Sequence, residues 1–398
     1  MSAIPGTNTA IGARLEALLA PVGVDAFLSD YLGQKPLHIS GSADRVADVM
    51  SIEMLNGLIN TASIWTPSSL RLVLDRKPVA ESDYCSPALS QTGATVLRPD
   101  PEKVGAWIGK GASLVLNDVD DLNPGMKAVS SAWQALTGGK SQGNLYFSRQ
   151  QRQAFSPHFD THDVFALHCA GEKTWRVYET KERWPIAHPA CQKSNEAMER
   201  DKGELLMEVT LKPGDLLYLP RGQYHDALAS SDGVIHIAFG LTMPIGMDLW
   251  PLLIDMAVRD EAFRRPLPTD RGALAAHLAH LGDAVGRVMR DRSILDAVLG
   301  NIQQFPYPRP VVDLPEVLAA PARHSVKPGF TVGQHQGKPI LAFGKKAVPL
   351  PPQLKDPVAW VVARSDFSDQ ELAAAFPMLP DASRAALVGQ LQAMKVIG

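Results

Sequence analysis

The sequence predicts an antiparallel β-barrel or jelly roll, followed by a helical segment and a small module of mixed strands and helices. Three observations predict this order. Short apolar strands separated by turn signals dominate as far as residue 241. Helical periodicity replaces them from residue 247 to residue 305. A Pro-rich stretch, residues 306–325, then separates a final part in which short strands and helices alternate.

Helices and strands are predicted in mixed order in the first part of the chain. Apolar residues at helical spacing predict helices at residues 11–32, 52–63 and 126–136. Apolar runs predict strands at residues 35–39, 69–74, 94–97, 111–117 and 144–148. The last of these strands leads toward the stretch that we consider as a metal site below.

A run of strands with one polar interruption is predicted in the middle of the chain. Residues 164–169 and 174–178 are expected to pair as a hairpin, because Gly171-Glu172 between them can form the turn. The polar residues 180–203 predict a surface loop or insertion. Further strands are predicted at residues 205–211, 214–219 and 234–241.

Helices dominate after the strands end. Residues 247–263 and 271–305 show helical periodicity, and one apolar stripe follows a single face of the second helix. Such a stripe indicates either intramolecular core or a dimer contact, and the sequence leaves both open. After the Pro-rich stretch, short strands and two closing helices suggest a winged-helix-like module. Its basic and acidic residues are nearly balanced, unlike those of a DNA reader.

Composition excludes several classes of protein. A hydrophobic content of 45% and a net charge of −3 indicate a globular protein rather than a general binder of nucleic acid or anionic membranes. The three cysteines, Cys85, Cys169 and Cys191, suggest neither a disulfide framework nor a Cys-rich zinc site. No signal peptide or membrane-spanning run is expected, which makes the cytoplasm the expected location.

His158 and Asp160 form the most informative short motif. On an extended strand their side chains point to one face, roughly 6–7 Å apart along the backbone. A third ligand must come from elsewhere, and His225, which follows a Pro213-Gly214 turn and a short apolar strand, is the best candidate. Two histidines and one carboxylate form the facial triad of non-haem Fe(II) oxygenases, which leaves coordination positions open. Zinc accepts the same ligands, so these residues alone do not settle the metal.

Three further histidines lie near this motif or in the predicted strands. His162 follows at the next alternate position, where a fourth protein ligand would block a position that oxygen chemistry needs. We therefore expect His162 beside the ligands or in solvent. His168 and His236 lie in apolar strands and are expected to be hydrogen-bonded barrel residues, with His236 near the cosubstrate described below.

Several longer motifs resemble those of a known family. They are residues 143–148 (GNLYFS), 155–160 (FSPHFD), 171–178 (GEKTWRVY) and 212–225 (KPGDLLYLPRGQYH), together with 31–37 and 111–117. In this order they resemble the JmjC-type, cupin-like ribosomal oxygenases over residues 25–245. The remainder of the chain resembles the family by its order of helices and strands rather than by motif.

The resemblance implies a double-stranded β-helix that binds Fe(II) and 2-oxoglutarate as its cosubstrate. It implies that His158, Asp160 and His225 hold the iron. Lys173 stands where the family places a basic residue for the distal carboxylate of 2-oxoglutarate, and Tyr146 stands where a tyrosine reaches the same group. Alternation along the strands also places Lys173 on the face of Asp160, although the chain must bend for the lysine to reach the metal.

The resemblance also implies a division into three parts. Residues 1–245 would form the JmjC or cupin-like oxygenase domain, and residues 246–305 a helical segment that makes a homodimer. Residues 306–398 would form the linker and the winged-helix-like module, with no nucleic-acid role. No membrane partner is expected.

The activity implied is hydroxylation of an amino-acid side chain of a protein, typically a ribosomal protein. A peptide or small-metabolite substrate is the main alternative within the oxygenase class. Two other classes remain: a non-catalytic cupin-type regulator that senses a ligand, and a zinc or manganese cupin that performs hydrolysis or isomerisation.

The chain departs from the family pattern at three places. Residues 149–152 (RQQR) replace a loop that more often carries proline and glycine, which leaves the substrate open. His168 stands where glutamine is frequent. Val234 stands where a serine often helps to hold 2-oxoglutarate, so one cosubstrate contact is in doubt.

Overall fold

The computed structural model describes residues 9–61, 63–90, 92–149, 156–309, 323–344 and 346–398. Its contacts divide the chain into two compact units, Met1–Arg309 and Pro310–Gly398. The predicted segment 246–305 lies within the first unit, and its standing as a separate part stays a prediction. Of the RQQR loop, only Arg149 belongs to the described residues.

The first unit contains ten helices and thirteen strands among its described residues. The helices are α1 Thr9–Leu19, α2 Val24–Asp30, α3 Ile52–Asn60, α4 Glu81–Tyr84, α5 Pro101–Gly109, α6 Pro124–Thr137, α7 Asn195–Asp201, α8 Trp250–Ala257, α9 Arg271–Arg290 and α10 Arg292–Gln304. The strands are β1 Leu37–Ile39, β2 Leu70–Leu74, β3 Lys77–Pro78, β4 Cys85–Leu89, β5 Thr95–Pro99, β6 Ser113–Leu116, β7 Lys140–Ser148, β8 Asp163–Ala170, β9 Lys173–Lys181, β10 Leu205–Leu211, β11 Leu216–Leu219, β12 Gln223–Ala229 and β13 Val234–Thr242.

Two antiparallel sheets form the centre of this unit. The major sheet has the strand order β1-β11-β8-β13-β7-β6-β2-β3, and the minor sheet has the order β10-β9-β12. An apolar layer joins them, built by β8 and β11 of the major sheet and by β9 and β10 of the minor sheet: Val164, Ala166, Leu217, Leu219, Trp175, Val177 and Leu211. Packing of one sheet on the other confirms the predicted jelly roll.

The outer face of the major sheet is covered by helices. Trp133 of α6 stacks on Phe165 of β8, with ring centroids 3.9 Å apart. α6 begins where Asn123 caps the Met126 amide and ends at Gly138, whose φ of 68° suits a glycine. Because β8 is buried on both faces, its residues 164–167 (VFAL) form a continuous apolar run rather than an alternation.

The predicted hairpin of residues 164–178 is wrong. Both strands exist as β8 and β9, but β8 pairs with β11 and β13, whereas β9 pairs with β10 and β12. Gly171, with a φ of 68°, therefore takes the chain from the major sheet to the minor one. This crossing supplies the bend that lets Lys173 reach the metal motif.

Several predicted boundaries also differ from the structure. The helix expected at residues 11–32 is two helices, α1 and α2, because Pro21 and the positive φ of Gly23 interrupt it. The helical stretch 271–305 is divided at Asp291, whose side chain caps α10. The loop expected at residues 180–203 contains the short helix α7.

The second unit has its own core. Its strands are β14 Arg323–Ser325, β15 Phe330–His335, β16 Lys338–Phe343, β17 Lys346–Pro349 and β18 Asp366–Ser368, and its helices are α11 Lys355–Val362, α12 Asp369–Ala375 and α13 Asp381–Ala393. Nine buried residues, among them Val358, Phe367 and Leu387, form one apolar cluster. The winged-helix-like description of this unit stays a prediction.

None of the helices in the described residues combines the length and the apolar character needed to cross a membrane.

Candidate metal centre

His158, Asp160 and His225 converge from two separate segments. Each offers one possible ligand atom, and these atoms all lie within 4.8 Å of one another. The His225 Nε2 lies 3.6 Å from the Asp160 Oδ2. No other group of this kind occurs among the described residues. The arrangement has the donor set and the compactness that a divalent metal requires.

The backbone holds the two histidines together. The His158 amide donates to the His225 carbonyl over 3.0 Å, and the His225 amide donates to the His158 carbonyl over 2.8 Å. The Gly222 amide also donates to the Asp160 carbonyl over 2.9 Å. His225 is the third residue of β12, the strand that follows the predicted apolar strand. The ligands are therefore positioned by strand pairing.

Each imidazole is oriented by its second nitrogen. The Nδ1 of His158 lies 2.8 Å from the Ser156 carbonyl oxygen, and the Nδ1 of His225 lies 2.9 Å from the Gln223 carbonyl oxygen. A carbonyl can only accept, so each Nδ1 carries the proton and each Nε2 keeps its lone pair. This is the tautomer in which histidine binds a metal through Nε2.

Electrostatics keep Asp160 and His225 in the charge states that metal binding needs. Burial raises the pKa of Asp160, but the imidazoles of His225, His158 and His162 outweigh burial and leave this pKa below its ordinary value. Burial, together with His158, lowers the pKa of His225 to about 4. At neutral pH the site thus offers an ionised carboxylate and a neutral imidazole.

All six predicted site residues line one cavity of about 300 Å³. Besides the three candidate ligands, these are Lys173, Tyr146 and His236. His162 also lines the cavity, as expected of a neighbour of the ligands. His168 does not line it. Its side chain is fully buried, and its Nε2 lies 2.9 Å from the Gly171 carbonyl oxygen.

Lys173 places a buried amine in this cavity. Only 6% of the residue is exposed, and burial lowers the pKa of the amine to about 7. Its Nζ lies 5.5 Å from the centroid of the Trp175 ring. Among the described residues, no carboxylate forms an ion pair with it. A buried cation without an acidic partner favours an anionic ligand, because such a ligand supplies the missing charge.

Tyr146 and His236 form a wall beside Lys173. They are opposite each other in the register of β7 and β13, and their rings stack with centroids 4.8 Å apart. Burial and the nearby Asp160 raise the pKa of Tyr146 to about 12, so its hydroxyl keeps its proton. The His236 Nδ1 is buried without a hydrogen-bond partner. This wall therefore offers polar groups to a ligand held at Lys173.

The sequence interpretation missed three polar or aromatic residues of the cavity. Trp175 lies in β9, and its ring stacks near His225 at a centroid distance of 5.7 Å. Asn144 precedes Tyr146 by two positions, so strand alternation could have assigned it to the same face. Arg71 comes from β2, and no local signal connects it with the metal motif. Val234, the departure from the family pattern, is buried and lies outside the residues that line the cavity.

Comparisons with known proteins relate the middle of the chain to the JmjC domain. Residues 127–249 match the model of the JmjC domain. A bifunctional lysine-specific demethylase and histidyl-hydroxylase NO66 of Drosophila erecta is 23% identical over 84% of this chain and 50% of its own length. Human ribosomal oxygenase 1 is 33% identical, over 35% of this chain and 24% of its own. The chain thus spans half or less of these curated relatives.

One solved structure has the same fold over nearly the whole chain. Escherichia coli ycfD superposes with a TM-score of 0.50 and covers 94% of this chain and 98% of its own, at 17% identity. That likeness extends the shared fold beyond the residues that match the JmjC model. Residues 127–249 thus match a JmjC domain, and the curated relatives confirm the predicted resemblance of the chain to the JmjC-type, cupin-like ribosomal oxygenases.

Proposed function

We propose that the protein is an Fe(II)- and 2-oxoglutarate-dependent dioxygenase that hydroxylates an amino-acid side chain of a protein. One observation carries this proposal: a compact triad of two histidines and one aspartate shares a cavity with a buried, unpaired lysine. The triad suits a metal with open positions, and the lysine suits the far carboxylate of a dicarboxylic acid.

The residues have distinct tasks in this proposal. His158, Asp160 and His225 hold Fe(II) on one side. Lys173 binds the distal carboxylate of 2-oxoglutarate, with Tyr146 and His236 as neighbouring contacts. When bound, the iron would supply the oxidative chemistry, in which 2-oxoglutarate and dioxygen give succinate and carbon dioxide, with one oxygen atom of dioxygen entering succinate and the other entering the C–H bond of the substrate. The protein supplies orientation and a cavity that largely excludes water.

The names of the relatives support a protein substrate, with a ribosomal protein as the first candidate. Their names describe ribosomal oxygenases and histidyl-hydroxylases, and one description adds lysine-specific demethylation. We favour hydroxylation because the cavity carries two cationic side chains, Arg71 and Lys173, and its single carboxylate, Asp160, belongs to the triad. A methylated lysine would bring a further positive charge into this surrounding.

We also propose that the first unit forms a homodimer through its helical end. Large apolar side chains on α8, α9 and α10 are about half exposed or more, among them Trp250 at 51%, Ile254 at 64%, Leu278 at 53% and Leu295 at 60%. A second copy would cover them. Light scattering should show a dimer for the wild type and a monomer for Ile254→Asp, whereas a monomeric wild type would contradict this assembly.

The oxygenase proposal is tested with the protein reconstituted anaerobically with Fe(II). Supplying 2-oxoglutarate and oxygen should produce succinate, and each of the variants His158→Ala, Asp160→Ala and His225→Ala should lose at least about 10³-fold of this rate. His335→Ala, which removes an exposed histidine of the second unit, is the matched control.

Metal analysis and mass spectrometry complete this test. Fe(II) should bind to the wild type and to His335→Ala, but not to the triad variants. Proteins from a deletion strain should gain the mass of one oxygen atom when they are incubated with the enzyme. Zinc retained without succinate would favour the hydrolase class, and ligand binding without turnover would favour the regulator.

A further inference from the structure

Arg71 lines the same cavity as the buried lysine. Its strand β2 belongs to the major sheet, where Arg71 pairs with Val115, Val115 with Tyr146, and Tyr146 with His236. With strands about 4.8 Å apart, the Arg71 backbone stands roughly 14 Å from that of His236. The two cations of the cavity, Arg71 and Lys173, therefore come from different sheets.

The guanidinium of Arg71 is available to a ligand. The residue is exposed, whereas Lys173 is buried. Within the described part of the chain, no hydrogen bond or ion pair engages the Arg71 side chain. Its positive charge is still felt inside the cavity, where it acts to lower the pKa of Tyr146 against the effects of burial and Asp160. Arg71 is thus a cation at the cavity mouth.

Charge complementarity indicates what this cation meets. If the site works as proposed above, the positive charges of Fe(II) and Lys173 are balanced by Asp160 and by the two carboxylates of 2-oxoglutarate. The charge of Arg71 is then left unbalanced at the open end, where the substrate must enter. An arginine presents a planar fork of donors that matches a carboxylate in a bidentate manner.

We propose that Arg71 is a specificity-determining residue, which binds the carboxylate of an Asp or Glu lying close to the hydroxylated residue in the target protein. This inference rests on the proposed oxygenase function, whose substrate class it narrows. The enzyme then selects target segments that carry an acidic side chain and an uncharged reacting side chain. Segments with a lysine in place of the acid are rejected, because two positive charges would meet.

The experiment uses the shortest peptide, from a protein oxidised in the deletion-strain extract, to which the wild type adds an oxygen atom. Two altered versions carry Gln or Lys in place of its acidic residues. Arg71→Gln should raise the KM for the native peptide by about 10–100-fold and leave the KM for 2-oxoglutarate within twofold. Lys77→Gln, which removes an exposed lysine on the neighbouring strand β3, should change neither value.

Reversing the charge of Arg71 gives the decisive test. Arg71→Glu should fail on the native peptide and regain activity on the Lys version. Anaerobic binding of the fluorescently labelled peptides should follow the same order, independently of turnover. The inference is overturned if the native peptide has no acidic residue, if the Gln version reacts as well as the native one, or if Arg71→Gln weakens 2-oxoglutarate instead.

Failure of the oxygenase proposal would look different. In that case the wild type would produce no succinate and oxidise no peptide, and both proposals would be withdrawn together. Succinate and oxidised peptide at equal rates from the wild type, Arg71→Gln and Arg71→Glu would overturn the role of Arg71 alone. Because Arg71 is exposed, Arg71→Gln and Arg71→Glu should both keep the melting temperature of the wild type.

Discussion

Replacing Lys173 by methionine should stabilise the fold and weaken cosubstrate binding at the same time. Burial lowers the pKa of this amine from 10.5 to about 7. At pH 7 that difference lowers the free energy of unfolding by about 4 kcal/mol, because the amine binds its proton more tightly in the unfolded chain than in the folded one. Methionine fills a similar volume without the charge, so Lys173→Met should gain about 2–4 kcal/mol in free energy of unfolding at pH 7.

The pH dependence has a definite sign. The pKa of Lys173 is lower in the folded state, so the unfolded state binds more protons between pH 7 and 10.5. The wild type should therefore become more stable as the pH rises through this window, and Lys173→Met should lose that contribution to the slope. In the proposed site, the same substitution would also remove a charge-assisted hydrogen bond from Lys173 to 2-oxoglutarate. A loss of about 1.5–3 kcal/mol would raise its KM by roughly 10–150-fold.

Urea unfolding of the metal-free protein between pH 7 and 10, and succinate production at varied 2-oxoglutarate, measure the two effects. Lys212→Met is the matched control, because the Lys212 side chain is 66% exposed and lies 3.9 Å from Glu172. That variant should change stability by less than about 0.5 kcal/mol and leave the KM unchanged. A destabilised Lys173→Met, or one whose KM stays within threefold of the wild type, would refute the assignment of a buried, ligand-binding amine.

Three further outcomes follow from the structure. In Lys173→Arg the KM for 2-oxoglutarate should stay constant from pH 7 to 8.5, whereas in the wild type it should rise as the amine loses its proton above pH 7; succinate assays across this range decide the point. Burial lowers the pKa of His168 to about 4, so the unfolded state binds the extra proton between pH 4 and 6.5, and stability is lost as the pH falls through this window. His168→Gln should remove up to about 3 kcal/mol of that loss, measured by urea unfolding at pH 7 and 4.5. Gly214 has a φ of 95°, and a Cβ at this position would collide with the Ser42 carbonyl oxygen. Thermal melting should therefore show that Gly214→Ala loses more than about 2 kcal/mol of stability. Gly389→Ala is the control and should not destabilise the protein, because nothing lies within 4 Å of a Cβ there.

The metal motif could be predicted from the sequence because its signals are local. Strand alternation places His158 and Asp160 on one face, and the Pro213-Gly214 turn predicts the strand that precedes His225. The structure adds what local patterns do not carry, namely that His158 and His225 are backbone partners across two segments. That pairing depends on the whole barrel.

The errors have physical causes as well. A glycine turn has the same local sequence whether it closes a hairpin or takes the chain to a second sheet, so the pattern around Gly171 could not distinguish the two. Arg71 escaped notice because its place in the cavity depends on cross-strand register with β6 and β7. Register between strands distant in sequence is set by packing rather than by any motif.

Two reciprocal amide–carbonyl hydrogen bonds join His158 to His225, so the metal can be lost while the fold of the site persists. The two imidazoles stay in place through main-chain bonds that do not involve the metal, so chelation or oxidation of the iron leaves a preformed receptor behind. Replenishing Fe(II) should then revive the enzyme without refolding. Under iron starvation such a protein would stay folded without its metal, and its activity would follow the supply of iron.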